Sequence, residues 1–203
     1  MTASSAVSAI SKASKALHPA DSQQVFRAVL AALTRPGRLA WLPREPLNTL
    51  APAVLPVFAL ADLGTGVCML EPPDAPVQWM PAITTATSAP AWPAELARLV
   101  AAVRPVTIEE FESFCRGSAA APEDGALVTL SVSHLYDGPR RWRLSGPGIA
   151  NSEELAPRGL PDGFVAARAA AVSGYPAGID ILLVTGDGQT VGLPRTTTIF
   201  EEN

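Results

Sequence analysis

No lysine follows Lys15 in this chain of 203 residues. Lys12 and Lys15 are the only lysines, and every other basic side chain apart from histidine is an arginine. That absence excludes two chemistries. A pyridoxal phosphate Schiff base needs a lysine amine in the core, and a Walker A phosphate loop needs its Gly-Lys-Ser/Thr step. Cysteine and histidine are as scarce, with Cys68, Cys115, His18 and His134 the whole supply. A four-cysteine cluster cannot be built from them. A zinc site would need all four, from four distant segments with no paired spacing, so no metal site is expected. Each cysteine lies among apolar neighbours and reads as a small buried hydrophobe. Nothing in this usage points to an oxidising compartment.

Long hydrophobic runs are missing too. The stretch Ala51–Ala61 is too short to cross a bilayer and carries Pro52 and Pro56, so no membrane span is expected. Basic excess is lacking: the net charge is −4, which argues against a general nucleic-acid binder. With 48% hydrophobic and 17% charged residues, the chain can bury one sizeable core. Residues 1–17 are rich in alanine and serine without a continuous apolar segment, and read as a flexible arm rather than a signal peptide. The expectation is a cytoplasmic protein with an arm over residues 1–20 and a single domain over 21–203.

The first element starts at Asp21 or Ser22, either of which can cap a helix. Val25, Phe26, Val29, Leu30 and Leu33 follow at helical spacing, and Arg35-Pro36-Gly37 stops the run. A short strand over Arg38–Leu42, a proline-interrupted helix over Thr49–Leu63 and a strand over Gly66–Leu70 come next. The proline-rich stretch Glu71–Pro93 reads as irregular, with one strand near Gln78–Thr84. Glu95–Val103 suits a helix or a strand. Thr107 and Glu110 have the spacing of a capping box. Ala126–Leu135 and Arg141–Leu144, around Asp137-Gly138, read as a hairpin. Asp162–Val172 reads as a helix. Ile179–Thr185 and Thr190–Leu193, around Gly186-Asp187-Gly188, read as a second hairpin. Helices mixed with hairpins give a layered α/β or α+β domain.

No complete catalytic set emerges. Arg195 followed by Thr196 and Thr197 suits a phosphate or phosphonate, because a guanidinium presents a planar fork of donors beside hydroxyls. A threonine-rich edge strand with a solvated arginine explains the same string. Arg35 lies just past a helix C-terminus, where a cation complements the helix dipole. Arg140, Arg141 and Arg143 form the densest basic patch, with Trp142 expected on the opposite strand face. Gly146-Pro147-Gly148 lacks the third glycine of a dinucleotide fingerprint and reads as a rigid turn. His134 is a conceivable base without a local Ser-His-Asp or Cys-His partner. Asp180, at the head of an apolar strand, reads as a turn cap.

Six strings, taken in order, carry a resemblance. They are Phe26-Arg27-Ala28 through Thr34-Arg35-Pro36-Gly37, Arg116-Gly117-Ser118 through Ala121–Ala126, Leu144–Ile149, Gly159-Leu160-Pro161, Gly178-Ile179-Asp180 and Leu193–Thr197. On them the sequence resembles the PhnH family, a component of the bacterial carbon–phosphorus lyase system for phosphonate use. The resemblance implies a three-layer α/β/α sandwich with a mixed sheet, similar to pyridoxal-phosphate-dependent transferases but without that cofactor or any other. It implies a strand around Leu96–Val103. It implies a non-catalytic subunit, a homodimer when isolated, that joins subunits G, I and J. That assembly helps displace adenine from ATP with a phosphonate, giving a ribose 1-phosphonate 5-triphosphate. No catalytic residue is assigned to this chain. The alternative is a phosphonate- or nucleotide-phosphate-binding subunit using Arg195, Thr196, Thr197 and Arg35. Family members often carry a basic residue where this chain has Thr198, so its anion pocket would be less basic than theirs.

Overall fold

A computed structural model describes residues 16–47 and 50–202. Of the expected arm, residues 1–15 lie outside the described residues, as does the expected helix start at Thr49. The first helix, α1, spans Pro19–Thr34, and its N-cap is His18 rather than the expected Asp21 or Ser22, with Pro19 in its first turn. Its buried stripe is Val25, Ala28, Val29 and Ala32. Phe26 and Leu30, expected on that stripe, are each 50% exposed. The reason lies beneath the helix. A Cβ at Gly192 would come within 2.4 Å of the Ala32 carbonyl. The small residues let helix and strand approach, and the bulky ones are left on the outer side.

The next elements are β1 (Ala40–Trp41), α2 (Arg44–Leu47), a 3-10 turn (Pro52–Val54), α3 (Leu55–Leu60) and β2 (Val67–Leu70). They are followed by α4 (Trp79–Thr87), β3 (Leu99–Ala102), α5 (Ile108–Ser113), a 3-10 turn (Pro122–Asp124) and β4 (Leu127–Ser131). The chain closes with β5 (Arg141–Ser145), β6 (Glu153–Leu155), α6 (Phe164–Ala171), β7 (Asp180–Val184), β8 (Gln189–Leu193) and β9 (Thr198–Glu202).

Six strands form a mixed sheet in the order β1-β8-β7-β4-β3-β2. β2, β3, β4 and β7 run parallel, and β8 pairs antiparallel with β7 and β1. The second expected hairpin is therefore present as β7 and β8. Alternate residues feed two cores, as the period of a strand requires. Val100, Val128, Leu130, Ile181 and Leu183 face a core with Phe111, Phe114, Trp142 and Phe164. Leu99, Ala101, Leu182 and Val184 face the other, with Val29, Leu55, Phe58 and Ile83. The indole of Trp142 stacks on Phe164, centroids 5.6 Å apart and planes 2° apart. The sheet is thus covered on both faces, which explains the apolar runs Leu99–Ala102 of β3 and Ile181–Val184 of β7.

Two expectations are corrected, and the choice left open over Glu95–Val103 falls to the strand that the resemblance implied. The strand near Gln78–Thr84 is the helix α4. Pro81 falls in its first turn, where a missing N–H costs nothing. The cap comes from a distance: Glu71 Oε2 accepts from Trp79 N at 2.8 Å. The segment Glu95–Val103 resolves as the strand β3, shorter than expected and wholly buried. The first expected hairpin does not exist. β4 belongs to the large sheet, whereas β5 pairs with β6 and β9 in a separate three-stranded sheet. Gly138 N donates to Ala156 O at 2.6 Å, and a Cβ there would lie 2.2 Å from the Pro157 carbonyl. That glycine serves a close crossing of two chain segments, not a two-residue turn.

The capping box of α5 forms as expected. Thr107 Oγ1 accepts from Glu110 N at 3.2 Å, and Glu110 Oε2 accepts from Thr107 N at 3.0 Å. Thr107→Ala is expected to cost about 1 kcal/mol in urea unfolding. The Arg104 guanidinium, donating to Glu110 at 2.9 Å, lowers the Glu110 carboxyl to about 2. A carboxyl depressed in the folded state stabilises above its unfolded value near 4.5 and loses that contribution as pH falls towards 2. After solvent screening of this part-exposed pair, acid melts should show the parent losing about 1 kcal/mol more than Glu110→Gln between those limits.

Candidate functional site

The turn between β8 and β9 carries Arg195, and the geometry around it is closed. Arg195 N donates to Asp180 Oδ1 at 2.7 Å. Its Nε and Nη2 donate to Asp180 Oδ2 at 3.2 and 2.7 Å. Nη1 donates to the carbonyls of Pro122 at 2.8 Å and Pro176 at 3.0 Å. The side chain is 14% exposed, so the guanidinium is mostly packed inside the fold rather than solvated. Asp180, read from sequence as a turn cap, is the carboxylate that orients it.

Glycines make this convergence sterically possible. A Cβ at Gly125 would stand 2.2 Å from the Gly178 carbonyl and 3.1 Å from Arg195 Nη2. Gly178 N donates to Arg116 O at 2.7 Å. Gly117, at φ +64°, takes the left-handed conformation that glycine favours, and a Cβ there would meet the Ala121 carbonyl at 2.8 Å. Three of the sequence strings, 116–126, 178–180 and 193–197, therefore meet in one packed knot.

Thr196 is exposed and Thr197 buried. Thr197 N donates to Pro194 O at 2.9 Å. Arg35 is exposed and caps α1, its N–H donating to Ala31 O at 3.2 Å. The turn Gly146-Pro147-Gly148 lies between these residues: a Cβ at Gly146 would meet Thr196 O at 2.8 Å, and one at Gly148 would meet Thr34 O at 2.5 Å. The structure thus brings Arg195, Thr196 and Thr197 into one turn, with Arg35 across a glycine-flanked loop from them. The Arg195 hydrogen bonds run to Asp180, Pro122 and Pro176, none to Arg35.

Sequence reasoning does not single out Arg168, the most buried cation near this turn. Arg168 in α6 is 2% exposed, and its Nη2 donates to Pro194 O at 2.6 Å. Burial pushes its guanidinium down to about 10, opposed by the charge of Asp180, so it stays a cation at neutral pH. A signal exists in the spacing: Phe164, Ala167, Arg168 and Ala171 fall at i, i+3, i+4 and i+7, the core-facing stripe of the helix.

The remaining chemistry-bearing residues are dispersed. His134 bridges to Arg158 and lines a cavity of about 450 Å³ beyond the ends of β4 and β7, with Ser133, Tyr136, Asp137 and Asp187. The Asp187 carboxyl is held below its ordinary value by the hydroxyl of Thr185 and by Gln189. Burial pushes the Cys68 thiol up. Cys115 donates to Asp124 O at 3.3 Å. Arg141 and Arg143 are exposed and Trp142 buried, the alternation expected of a strand. Among the described residues no group of three or more histidine, cysteine or acidic side chains could hold a metal, and no helix is long and apolar enough to cross a membrane.

A family model described as bacterial phosphonate metabolism protein (PhnH) matches residues 15–200. The chain is 30% identical over 195 residues to the alpha-D-ribose 1-methylphosphonate 5-triphosphate synthase subunit PhnH of Rhizobium meliloti, covering 90% of this chain and 92% of that relative. It is 41% identical over 83 residues to HtxG of Stutzerimonas stutzeri, named as a candidate C-P lyase subunit protein, covering 41% and 42% of the two chains.

Proposed function

The chain belongs to the PhnH family of bacterial phosphonate metabolism proteins, and from that premise we propose that it is a non-catalytic subunit of a carbon–phosphorus lyase core assembly. In this reading it joins subunits G, I and J, and is a homodimer when isolated. The assembly it supports converts a phosphonate and ATP to a ribose 1-phosphonate 5-triphosphate. The likeness to pyridoxal-phosphate-dependent transferases belongs to the same proposal, with Lys12 and Lys15 the only lysine amines available and no cofactor held.

One observation carries the proposal. The arginine that looks most like an anion-binding group, Arg195, is spent on Asp180 and two backbone carbonyls. The residues that mark the family fasten the fold at this point. Co-expression of the tagged chain with the other subunits tests it. Capture of G, I and J in fixed proportion is expected, and recovery of the tagged chain alone contradicts it.

A second reading has one observation in its favour. Arg195, Thr196, Thr197 and Arg35 are the sequence candidates for holding a phosphonate or nucleotide phosphate, and the Thr197 hydroxyl is buried without a partner among the described residues.

A further inference from the structure

Arg168 and Thr197 carry the buried side-chain polar atoms that have no hydrogen-bond partner among the described residues, Nε and Oγ1 respectively. Both residues are 2% exposed. They come from different elements, α6 and the turn before β9, yet converge on one acceptor. Pro194 O receives Arg168 Nη2 at 2.6 Å and Thr197 N at 2.9 Å. The Nε–H of Arg168 and the hydroxyl of Thr197 have nothing to donate to among the described residues. Asp180, whose charge Arg168 senses, is taken up by Arg195. Among the described residues Arg168 has no carboxylate of its own, and it stands as a buried positive charge with an unused donor. Buried polar groups left this way are uncommon and costly, and a neutral carbonyl is a poor counterpart for a guanidinium.

We propose that Arg168, Thr197 and the Pro194–Thr197 turn form a site for a tetrahedral oxyanion, either free phosphate or the PO3 group of a phosphonate. One oxygen takes the place of the Pro194 carbonyl on the Nε–Nη2 edge of Arg168. Arg195 holds a carboxylate by that same edge. A second oxygen accepts from the Thr197 hydroxyl. Charge-assisted bonds from a guanidinium fork are the strong ones, and planar bidentate capture of oxyanions is the chemistry arginine does best. Entry requires the Pro194 carbonyl to turn aside, while the Arg195–Asp180 pair anchors the rest of the turn. The inference rests on the second reading above and changes its cation from Arg195 to Arg168.

The test is calorimetric titration of the full isolated chain with inorganic phosphate, with methylphosphonate and, as a planar control, with acetate. Saturable binding of phosphate or methylphosphonate is expected, with acetate, which lacks an oxygen for the Thr197 hydroxyl once it is paired with the guanidinium, bound more weakly or not at all, and the tighter of the first two identifies the source of the oxyanion. Arg168→Gln should abolish binding. Thr197→Val, close in shape and less disruptive to folding, should weaken it about tenfold or more. Circular dichroism melts check that each variant is folded. If the parent binds neither phosphate nor methylphosphonate, if acetate binds equally well, or if Thr197→Val binds as the parent does, the site is refuted. Capture of partner subunits is scored separately, so failure here leaves the assembly proposal standing, and the reverse holds too.

Discussion

Arg195→Ala is expected to lower the free energy of unfolding by about 3 kcal/mol. Among the described residues the variant leaves Asp180 with one donor, the backbone N–H of residue 195. It also removes the Nη1 donor from the Pro176 and Pro122 carbonyls, of which Pro122 keeps the Gly125 N–H at 3.2 Å. Asp180 is 26% exposed, so water relieves part of the penalty, which sets the expectation at the lower end of the range for a broken buried pair. Asp180→Ala should cost about 2 kcal/mol, because it leaves the guanidinium with its two carbonyl partners. The double variant should fall short of the sum by about 1–2 kcal/mol, since the residues form one network. Urea unfolding of all four proteins measures the coupling. A loss under about 1 kcal/mol for Arg195→Ala would mean that the pair behaves like an ordinary surface contact.

Gly125→Ala is expected to be as damaging for a different reason. The residue has φ −64° and ψ 138°, a conformation open to any amino acid. What excludes a side chain is space, because its Cβ would lie 2.2 Å from the Gly178 carbonyl oxygen. The obstructing atom is backbone, in a segment pinned on either side by Gly178 N donating to Arg116 O and Asp180 N donating to Ala126 O, so it cannot move aside as a flexible side chain would. Overpacking of this kind costs about 3 kcal/mol, read as a lower urea midpoint and a reduced soluble yield. Gly186→Ala is the control. Nothing lies within 4 Å of a Cβ there, and the change should stay within about 0.5 kcal/mol of the parent.

How legible these features are in the sequence depends on how local their causes are. The capping box at Thr107 and Glu110 and the hairpin of β7 and β8 rest on neighbouring residues, and both can be read directly. The helix α4 cannot, because its cap is Glu71, eight residues upstream of Trp79. The hairpin expected around Asp137-Gly138 fails likewise. Gly138 has the chemistry of a turn, but it is committed to a crossing with Ala156 and Pro157. The stripe on α1 is legible only in part: Val25 and Val29 are buried, but helix–strand closeness through Ala32 and Gly192 decides against Phe26 and Leu30.

The site residues divide in the same way. Arg195, Thr196 and Thr197 are visible as a string, yet the partner that decides the role of Arg195 lies fifteen residues away, across a hairpin. Arg168 sits on the core-facing stripe of its helix, so its burial follows from spacing. Its lack of a carboxylate partner does not, because that depends on which guanidinium Asp180 faces.

In the proposed role the chain assembles and positions its neighbours without itself making or breaking bonds. The direct measurement is phosphorus NMR of the purified chain, free of other subunits, incubated with ATP and methylphosphonate. Spectra that keep only the starting resonances are predicted, with a product resonance on addition of G, I and J. A new phosphonate ester signal formed by the isolated chain would contradict that role.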